Sequence, residues 1–142
     1  MSLKISAAAA VAALSVLSAG QAFADAGLAK AHIAAIAKGD VAGIAADYTD
    51  TTVFEWVGGP LNGVYTGKSA IEGVWTKFAK VQGPLKAEVT DLRENANPKG
   101  TTVTADVKFS GKNTIPVRYV MTFRDKKLVA EIWQIDPKLG KY

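Results

Sequence analysis

The stretch from Ile115 to Asp136 limits the fold more strongly than any other part of the sequence. It is typical of two β-strands joined by a tight polar turn, Arg124-Asp125-Lys126-Lys127. In the first strand every second residue is apolar, and these residues share one face: Ile115, Val117, Tyr119, Met121 and Phe123. In the second strand both alternating sets are largely apolar, so the pattern does not decide which of them faces inward. One set is Val129, Glu131, Trp133 and Ile135, and the other is Leu128, Ala130, Ile132 and Gln134. The pattern predicts a long, largely buried hairpin that the rest of the chain covers.

The residues before this hairpin predict helices first and further strands later. Gly39 suits a helix C-cap and Asp40 an N-cap, which separates two helices in tandem. The predicted elements are helices over Leu28–Lys38 and from Val41 to about Tyr48, a strand over Thr51–Val57, a helix from about Ser69 to Gly83, and strands over Leu85–Glu94 and Thr101–Ser110. This order predicts an α+β domain with its helices on one face of a curved antiparallel sheet.

The first residues are typical of a secretory signal peptide. Lys4 lies in a short positive segment, an apolar run covers Ile5 to Leu17, and Ala22-Phe23-Ala24 resembles a cleavage site. A membrane anchor is the alternative, but Ser18, Gly20 and Gln21 interrupt the run before it reaches the length of about 20 residues that a span needs. We expect cleavage after Ala24, which leaves a single domain over residues 25–142 in the periplasm or outside the cell.

The chain has one histidine and no cysteine, which narrows its chemistry. Thiol catalysis and thiolate metal sites are excluded, and we expect no metal and no cofactor. Gly63 to Ser69 has one residue too few between its glycines for a phosphate-binding loop, and no Gly-x-Ser-x-Gly turn presents a nucleophile. The net charge is +4 with scattered Lys and Arg, so neither nucleic acid nor a membrane surface is an expected partner.

Four motifs in this order resemble the nuclear transport factor 2-like superfamily, which includes the SnoaL-like polyketide cyclases and the ketosteroid isomerases. They are Lys38-Gly39-Asp40-Val41, the segment Asp47 to Val53, Gly67-Lys68-Ser69-Ala70-Ile71, and Trp133 in the last strand. The resemblance implies a cone-shaped domain whose sheet curls around the helices and leaves a deep apolar cavity. It also implies a homodimer through the outer face of the sheet, where Arg118, Val120 and Thr122 form a mixed set.

The ketosteroid isomerase pattern, carried over by position, gives candidate catalytic residues. The general-base aspartate falls on Glu55, the tyrosine that donates to the enolate oxygen falls on His32, and the protonated aspartate falls on Tyr119. Glu131 adds a second carboxylate to the interior. A carboxylate buried among aromatic rings is poorly solvated, which raises its pKa toward the range useful for proton transfer, while imidazole or phenol donors stabilise an oxyanion. The candidate ligand-binding residues are Tyr48, Trp56, Trp75, Glu131 and Trp133.

Each candidate has a structural alternative. Glu55 lies near a strand end, where a glutamate that faces solvent is at least as common, and His32 on a helix face is more often structural than catalytic. Tyr119 is also consistent with a core residue whose hydroxyl is paired. Glu131 is also consistent with an ion pair to a basic residue, either a lysine or one of Arg118 and Arg124.

Two functional hypotheses follow from these residues. The first is a domain that binds a small, mostly apolar or partly polar molecule in its cone without catalysis. The second is a cofactor-free isomerase, cyclase or dehydratase with Glu55 as general base and His32 or Tyr119 polarising a carbonyl. The changed identities at the two donor positions favour the first hypothesis, and the retained carboxylate supports the second.

Overall fold

The computed structural model describes the backbone of residues 17–142 and the side chains of residues 25–142. The signal peptide predicted over residues 1–24 therefore lies largely outside the described residues. The elements are α1 (Leu17–Lys38), α2 (Val41–Ala45), β1 (Tyr48–Val57), β2 (Gly63–Thr66), α3 (Lys68–Gln82), β3 (Lys86–Asn97), β4 (Gly100–Ser110), β5 (Thr114–Arg124) and β6 (Lys127–Ile135). None of the described helices combines the length and the apolar character that a membrane span requires.

The strands form one six-stranded sheet in the order β2-β1-β6-β5-β4-β3. The last four strands pair antiparallel in sequence order, as the sequence predicts. The first strand, β1, instead pairs parallel with the last strand, β6, so the curved, open sheet is mixed rather than purely antiparallel. The short edge strand β2, which pairs with β1, is absent from the sequence prediction. The α+β class is confirmed.

The hairpin of β5 and β6 is confirmed, including its tight turn. Asp125 and Lys126 have φ angles of 48° and 62°, the combination that a two-residue type I′ turn requires. The register then shifts by one residue, because Phe123 pairs with Leu128 whereas Thr122 pairs with Ala130. Val129 is thus the extra residue of a β-bulge, and Leu128 faces inward together with Glu131 and Trp133.

The caps around Gly39 and Asp40 are confirmed, but the second helix is shorter than predicted. Gly39 has a φ of 70°, and Asp40 caps α2 by accepting a hydrogen bond of 3.0 Å from the backbone N–H of Gly43. The α2 helix ends at Ala45, and Tyr48 is the buried first residue of β1 rather than the end of a helix. This difference matters for the site, because it directs Tyr48 into the interior.

The core lies between the helices and the inner face of the sheet. The α1 helix packs over β3 and β4, and α3 packs over β1 and β2. The predicted apolar face of α3 is confirmed, since Ile71, Val74, Trp75 and Phe78 are all buried. The aromatic residues that this packing brings together form the centre of the domain.

Candidate functional site

A buried polar cluster joins both long helices to three strands. Tyr119 donates a hydrogen bond of 2.5 Å to Oε2 of Glu131, and the Tyr48 hydroxyl donates to Oε1 of the same carboxylate. Nε2 of His32 lies 2.9 Å from the Tyr119 hydroxyl and 3.1 Å from Oε2 of Glu131. Trp75 completes the cluster by donating from Nε1 to the Tyr48 hydroxyl over 2.8 Å. We call these five residues the polar cluster.

Two backbone irregularities aim the acidic and phenolic side chains of the polar cluster inward. The bulge at Val129 lets Leu128 and Glu131 face the same side of β6. In β1 a second register shift falls between Tyr48 and Val53. Thr52 holds this second shift, because its hydroxyl donates to the Leu128 carbonyl over 2.7 Å and accepts a bond of 2.8 Å from the N–H of Thr49. The segment Tyr48 to Thr52 is therefore fixed against β6 at the level of the polar cluster.

The polar cluster satisfies its carboxylate completely. Glu131 is 1% exposed, and each of its oxygens accepts a hydrogen bond from a phenol. The hydrogen of Tyr119 is committed to the carboxylate, which assigns a hydrogen to Nε2 of His32 as a further donor. Burial, and then the adjacent Glu131 charge, raise the pKa of Tyr48 and of Tyr119 well above the usual phenol value. Both phenols therefore act as hydrogen-bond donors at neutral pH.

The ion pair to an arginine or a lysine considered for Glu131 is wrong, because none of the ion pairs among the described side chains joins Glu131 to either residue type. Arg118 pairs with Asp106 over 2.9 Å. Arg124 donates from Nη1 to the backbone carbonyl of Lys99 over 2.8 Å. Glu131 is held by two phenols and an imidazole instead, so hydrogen bonds satisfy its buried oxygens.

The inward placement expected for Glu55 is also wrong. Phe54 and Trp56 are buried, and Glu55 between them is exposed on the outer face of the sheet. Its neighbours in register are Val64 on β2 and Ile132 on β6, both exposed. Successive side chains of a strand point to opposite faces, so an alignment with the ketosteroid isomerase pattern that is shifted by one residue places a side chain on the wrong face. Glu55 therefore contributes no general base to the interior.

Aromatic rings fill the space above the polar cluster, where the family resemblance implied a deep cavity. Trp75 stacks on Phe54 with ring centroids 5.2 Å apart. The ring centroid of Trp133 lies 5.2 Å from that of Trp75, 5.0 Å from that of Trp56 and 5.6 Å from that of Phe78. We call Trp56, Trp75, Phe78 and Trp133 the aromatic layer. It separates the polar cluster from the open end of the cone.

A cavity of about 300 Å³ lies at that open end, on the outer side of the aromatic layer. Trp56 and Phe78 form its floor, and the other lining residues come from the β1–β2 loop, the end of α3, the β4–β5 turn, the start of β5 and the end of β6. These other lining residues are Pro60, Leu61, Lys77, Val81, Gln82, Asn113, Thr114, Ile115 and Ile135. The volume lies at the lower end of the range of about 300–1,000 Å³ that ligand pockets occupy. We call this space the mouth cavity.

Hydrogen bonds fix the rim of the mouth cavity. Tyr65 donates to the Leu61 carbonyl over 2.7 Å, and Asn62 accepts from the N–H of Gly58 over 2.9 Å, which together hold the β1–β2 loop. On the opposite side Asn113 donates to Gln82 over 3.3 Å and ties the β4–β5 turn to α3. The rim is therefore largely preformed before any ligand arrives.

Two indole N–H groups in the aromatic layer are buried without an acceptor among the described residues. They belong to Trp56 and Trp133, and Trp56 also lines the mouth cavity. A buried N–H that lacks a partner costs about 1–3 kcal/mol. Because both indole nitrogens are buried, neither is open to an acceptor in the mouth cavity as it stands.

The predicted site residues thus divide among three places. His32, Tyr48, Tyr119 and Glu131 come together in the polar cluster, Trp56 and Trp133 lie in the aromatic layer, and Glu55 lies outside. Trp75 belongs to both the polar cluster and the aromatic layer. Sequence reasoning missed Leu61, Lys77 and Ile135 as lining residues of the mouth cavity. No sequence signal marks these three residues as a group, because they lie on separate elements that meet only in the folded structure. Among the side chains from residue 25 onward, no group of three or more His, Asp or Glu residues is placed to hold a metal ion.

Solved structures with this architecture share the nuclear transport factor 2-like fold. A protein of unknown function from Pseudomonas putida KT2440 with this fold is 20% identical, has a TM-score of 0.72, and is matched over 82% of the present chain and 87% of its own. A second, from Burkholderia xenovorans LB400, is 20% identical with a TM-score of 0.55 over 79% and 88% of the two chains. A domain of unknown function with a cystatin-like fold from Nostoc punctiforme PCC 73102 is 14% identical with a TM-score of 0.67 over 90% and 83%.

The family within this class follows from the sequence. The model of the SnoaL-like domain matches residues 29–131, which include every member of the polar cluster. The chain therefore belongs to the SnoaL-like domain family. No curated protein sequence matches it.

Proposed function

We propose that this protein binds a small, mostly apolar molecule in the mouth cavity and holds it without chemical change. The observation that carries the proposal is a cavity with a rim fixed by hydrogen bonds and a floor of two aromatic rings, Trp56 and Phe78. Concave apolar sites with few polar groups are the usual form of small-molecule sites. Together with the signal peptide predicted over residues 1–24, this gives a periplasmic or secreted binding domain.

The polar cluster supports binding rather than catalysis as the role of the interior. A general base must come within hydrogen-bond reach of the proton that it removes. Glu131 and His32 are almost fully buried, both oxygens of Glu131 accept from phenols, and the aromatic layer lies between them and the mouth cavity. A ligand seated on Trp56 and Phe78 therefore contacts rings, not the carboxylate. The polar cluster stabilises the wall against which the ligand packs.

The three tryptophans provide the readout for a binding test, because all of them lie in the aromatic layer. We would titrate the protein with 2-naphthamide and follow the indole N–H signals by NMR. We expect saturable shifts at Trp56 that are larger than those at Trp75, since Trp56 lines the cavity and Trp75 lies beneath it. Unchanged spectra with this probe and with its carboxylate analogue would overturn the proposal.

A matched pair of valine substitutions localises the binding. Val81 and Val64 are both 64% exposed, but only Val81 lines the mouth cavity. Val81→Trp would fill the cavity and is expected to weaken binding by about tenfold or more, equivalent to about 1.4 kcal/mol. Val64→Trp places the same ring on the opposite face of the sheet and is expected to leave binding unchanged. Equal affinity in both variants would show that the probe binds elsewhere.

A further inference from the structure

The mouth cavity has one ionisable lining residue, and that residue is a cation. Its other lining residues are apolar or neutral polar, and Lys77 alone carries a charge. We propose that the ligand is a monoanionic amphipathic molecule, an aromatic carboxylate, whose ring lies on Trp56 and Phe78 while its carboxylate meets Lys77. This inference rests on the proposed function and adds the chemical class of the ligand.

The ammonium group of Lys77 is not engaged by the protein. The residues one helical turn away in either direction are Gly73, Val74, Lys80 and Val81, so no acid stands at the spacing that forms helical ion pairs. Within the part of the chain whose side chains are described, none of the ion pairs or side-chain hydrogen bonds includes Lys77. Lys80 on the next turn adds positive charge to the same end of α3. An anion is therefore the complementary charge at this rim.

The neutral polar residues lie on the same side of the cavity as Lys77. Gln82 follows Lys77 along α3, and the bond from Asn113 to Gln82 brings the β4–β5 turn against this helix end. Thr114 adds a hydroxyl beside Asn113. The opposite rim consists of Pro60 and Leu61, with Ile135 at the end of β6. The cavity thus has a polar, cationic side and an apolar side, which fits a ligand with one charged end and one apolar end.

Three probes of similar size test the charge of the ligand: 2-naphthoate, 2-naphthamide and 2-naphthylmethylammonium. They share the same ring and differ in the charge of the head group. We expect 2-naphthoate to bind about two- to fivefold more tightly than the amide, the advantage of a partly exposed ion pair, and the ammonium to bind most weakly. Dissociation constants come from the indole N–H shifts, at low and at high salt. Raising the salt concentration should reduce the advantage of the carboxylate and leave the amide unaffected.

Charge-reversal variants test whether Lys77 causes the expected preference for the carboxylate probe. In Lys77→Glu the order of the probes is expected to invert, with the ammonium binding more tightly than the carboxylate. Lys80→Glu makes the same change of net charge on the same helix at a residue that does not line the cavity, and it should preserve the original order. Both lysines are exposed, so neither variant is expected to impair folding.

The outcomes separate this inference from the proposed function. If the amide binds as tightly as the carboxylate, or if Lys77→Glu leaves the order unchanged, the anionic class is overturned while binding in the mouth cavity stands. If none of the three probes binds, the proposed function fails and this inference fails with it. Inversion of the order in Lys80→Glu as well as in Lys77→Glu would indicate a long-range charge effect and would overturn the direct contact.

Discussion

Nε2 of His32 lies 3.1 Å from Oε2 of Glu131, although 99 residues separate the two in the chain. The pair joins the first long helix to the last strand, and Tyr119 bridges the same two side chains from the neighbouring strand. Because the carboxylate is buried and receives several donors at once, its hydrogen bonds exceed the usual strength of neutral pairs.

Replacing the buried carboxylate should destabilise the protein far more than replacing the exposed one. Glu131→Gln keeps the shape but exchanges one acceptor for a donor that faces a phenol, and we expect a loss of about 2–3 kcal/mol in the free energy of unfolding. Glu55→Gln is the matched control, because Glu55 is exposed, and should change stability by less than about 0.5 kcal/mol. Urea denaturation measures both. Similar losses in the two variants would contradict the placement of the two glutamates.

Stability should fall at alkaline pH because of the buried phenols. Tyrosines of the unfolded chain ionise near pH 10, about the ordinary phenol value, whereas burial and the Glu131 charge raise the pKa of Tyr48 and Tyr119 in the folded protein. Above pH 10, about the unfolded pKa, the folded state binds more protons than the unfolded state. The stabilisation is therefore fully present below that pH and is lost as the pH rises toward the pKa values of the two tyrosines in the folded protein. The expected slope is about 1.4 kcal/mol per pH unit for each tyrosine.

Urea unfolding at a series of pH values between about 8 and 11 measures this slope. Tyr119→Phe removes one of the two titrating groups and should reduce the slope by about half, while its loss of a hydrogen bond lowers stability equally at every pH. An unchanged slope in this variant would show that other groups cause the alkaline loss.

Two glycines of the α3 region should respond to alanine in opposite directions. Gly67 has a φ of 88°, and an added Cβ would lie 2.9 Å from the backbone carbonyl oxygen of Asp50. Gly67→Ala is therefore expected to cost about 1–3 kcal/mol. Gly73 lies exposed within α3 with nothing within 4 Å of an added Cβ, so Gly73→Ala should stabilise by about 0.5–1 kcal/mol. Thermal unfolding distinguishes the two, and destabilisation by Gly73→Ala would contradict the account of α3.

The outer face of the sheet leads us to expect the homodimer that the family resemblance implies. Ile132, Val53 and Val64 are neighbours around Glu55 on this face, and all three are at least partly exposed. In Ile132→Lys a charge at the centre of the patch should weaken self-association by about tenfold or more. Val89→Lys on the edge strand β3 is the control, since both residues are 37% exposed. Sedimentation equilibrium measures the association, and a protein that is monomeric before any substitution would refute the dimer.

The sequence predicted those parts of the fold that depend on the spacing of apolar residues within a single helix or strand. Alternation places Tyr119 and its strand neighbours on one face, and the spacing of Trp75 and Phe78 defines the buried face of α3. The inward set of β6 was not predictable, because the bulge at Val129 breaks the alternation and moves Leu128 to the same face as Glu131. The parallel pairing of β1 with β6 was not predictable either, since periodicity within a strand carries no information about its partner.

The sequence predicted most of the residues of the candidate site but not how they are arranged in space. The aromatic and carboxylate side chains named for the interior do meet there, apart from Glu55, whose face depends on a shift of a single residue. Tyr48 joins them because α2 ends early, a boundary that composition does not define. The mouth cavity could not be read from the sequence, because its lining comes from segments that are far apart in the chain and meet only in the finished fold.

The position of β1 in the sheet sets the order in which the chain can fold. One edge of β1 is covered by the nearby β2, but its other edge pairs with residues 128–134 of β6, which are synthesised after all the other strands of the sheet. Pairings between distant parts of a chain close late and lower the folding rate. A chain that ended before Leu128 would leave β1 with an open edge and His32 without its carboxylate. The domain thus gains its interior only after β6 has been synthesised, and until then β1 has an open edge that can pair with other chains.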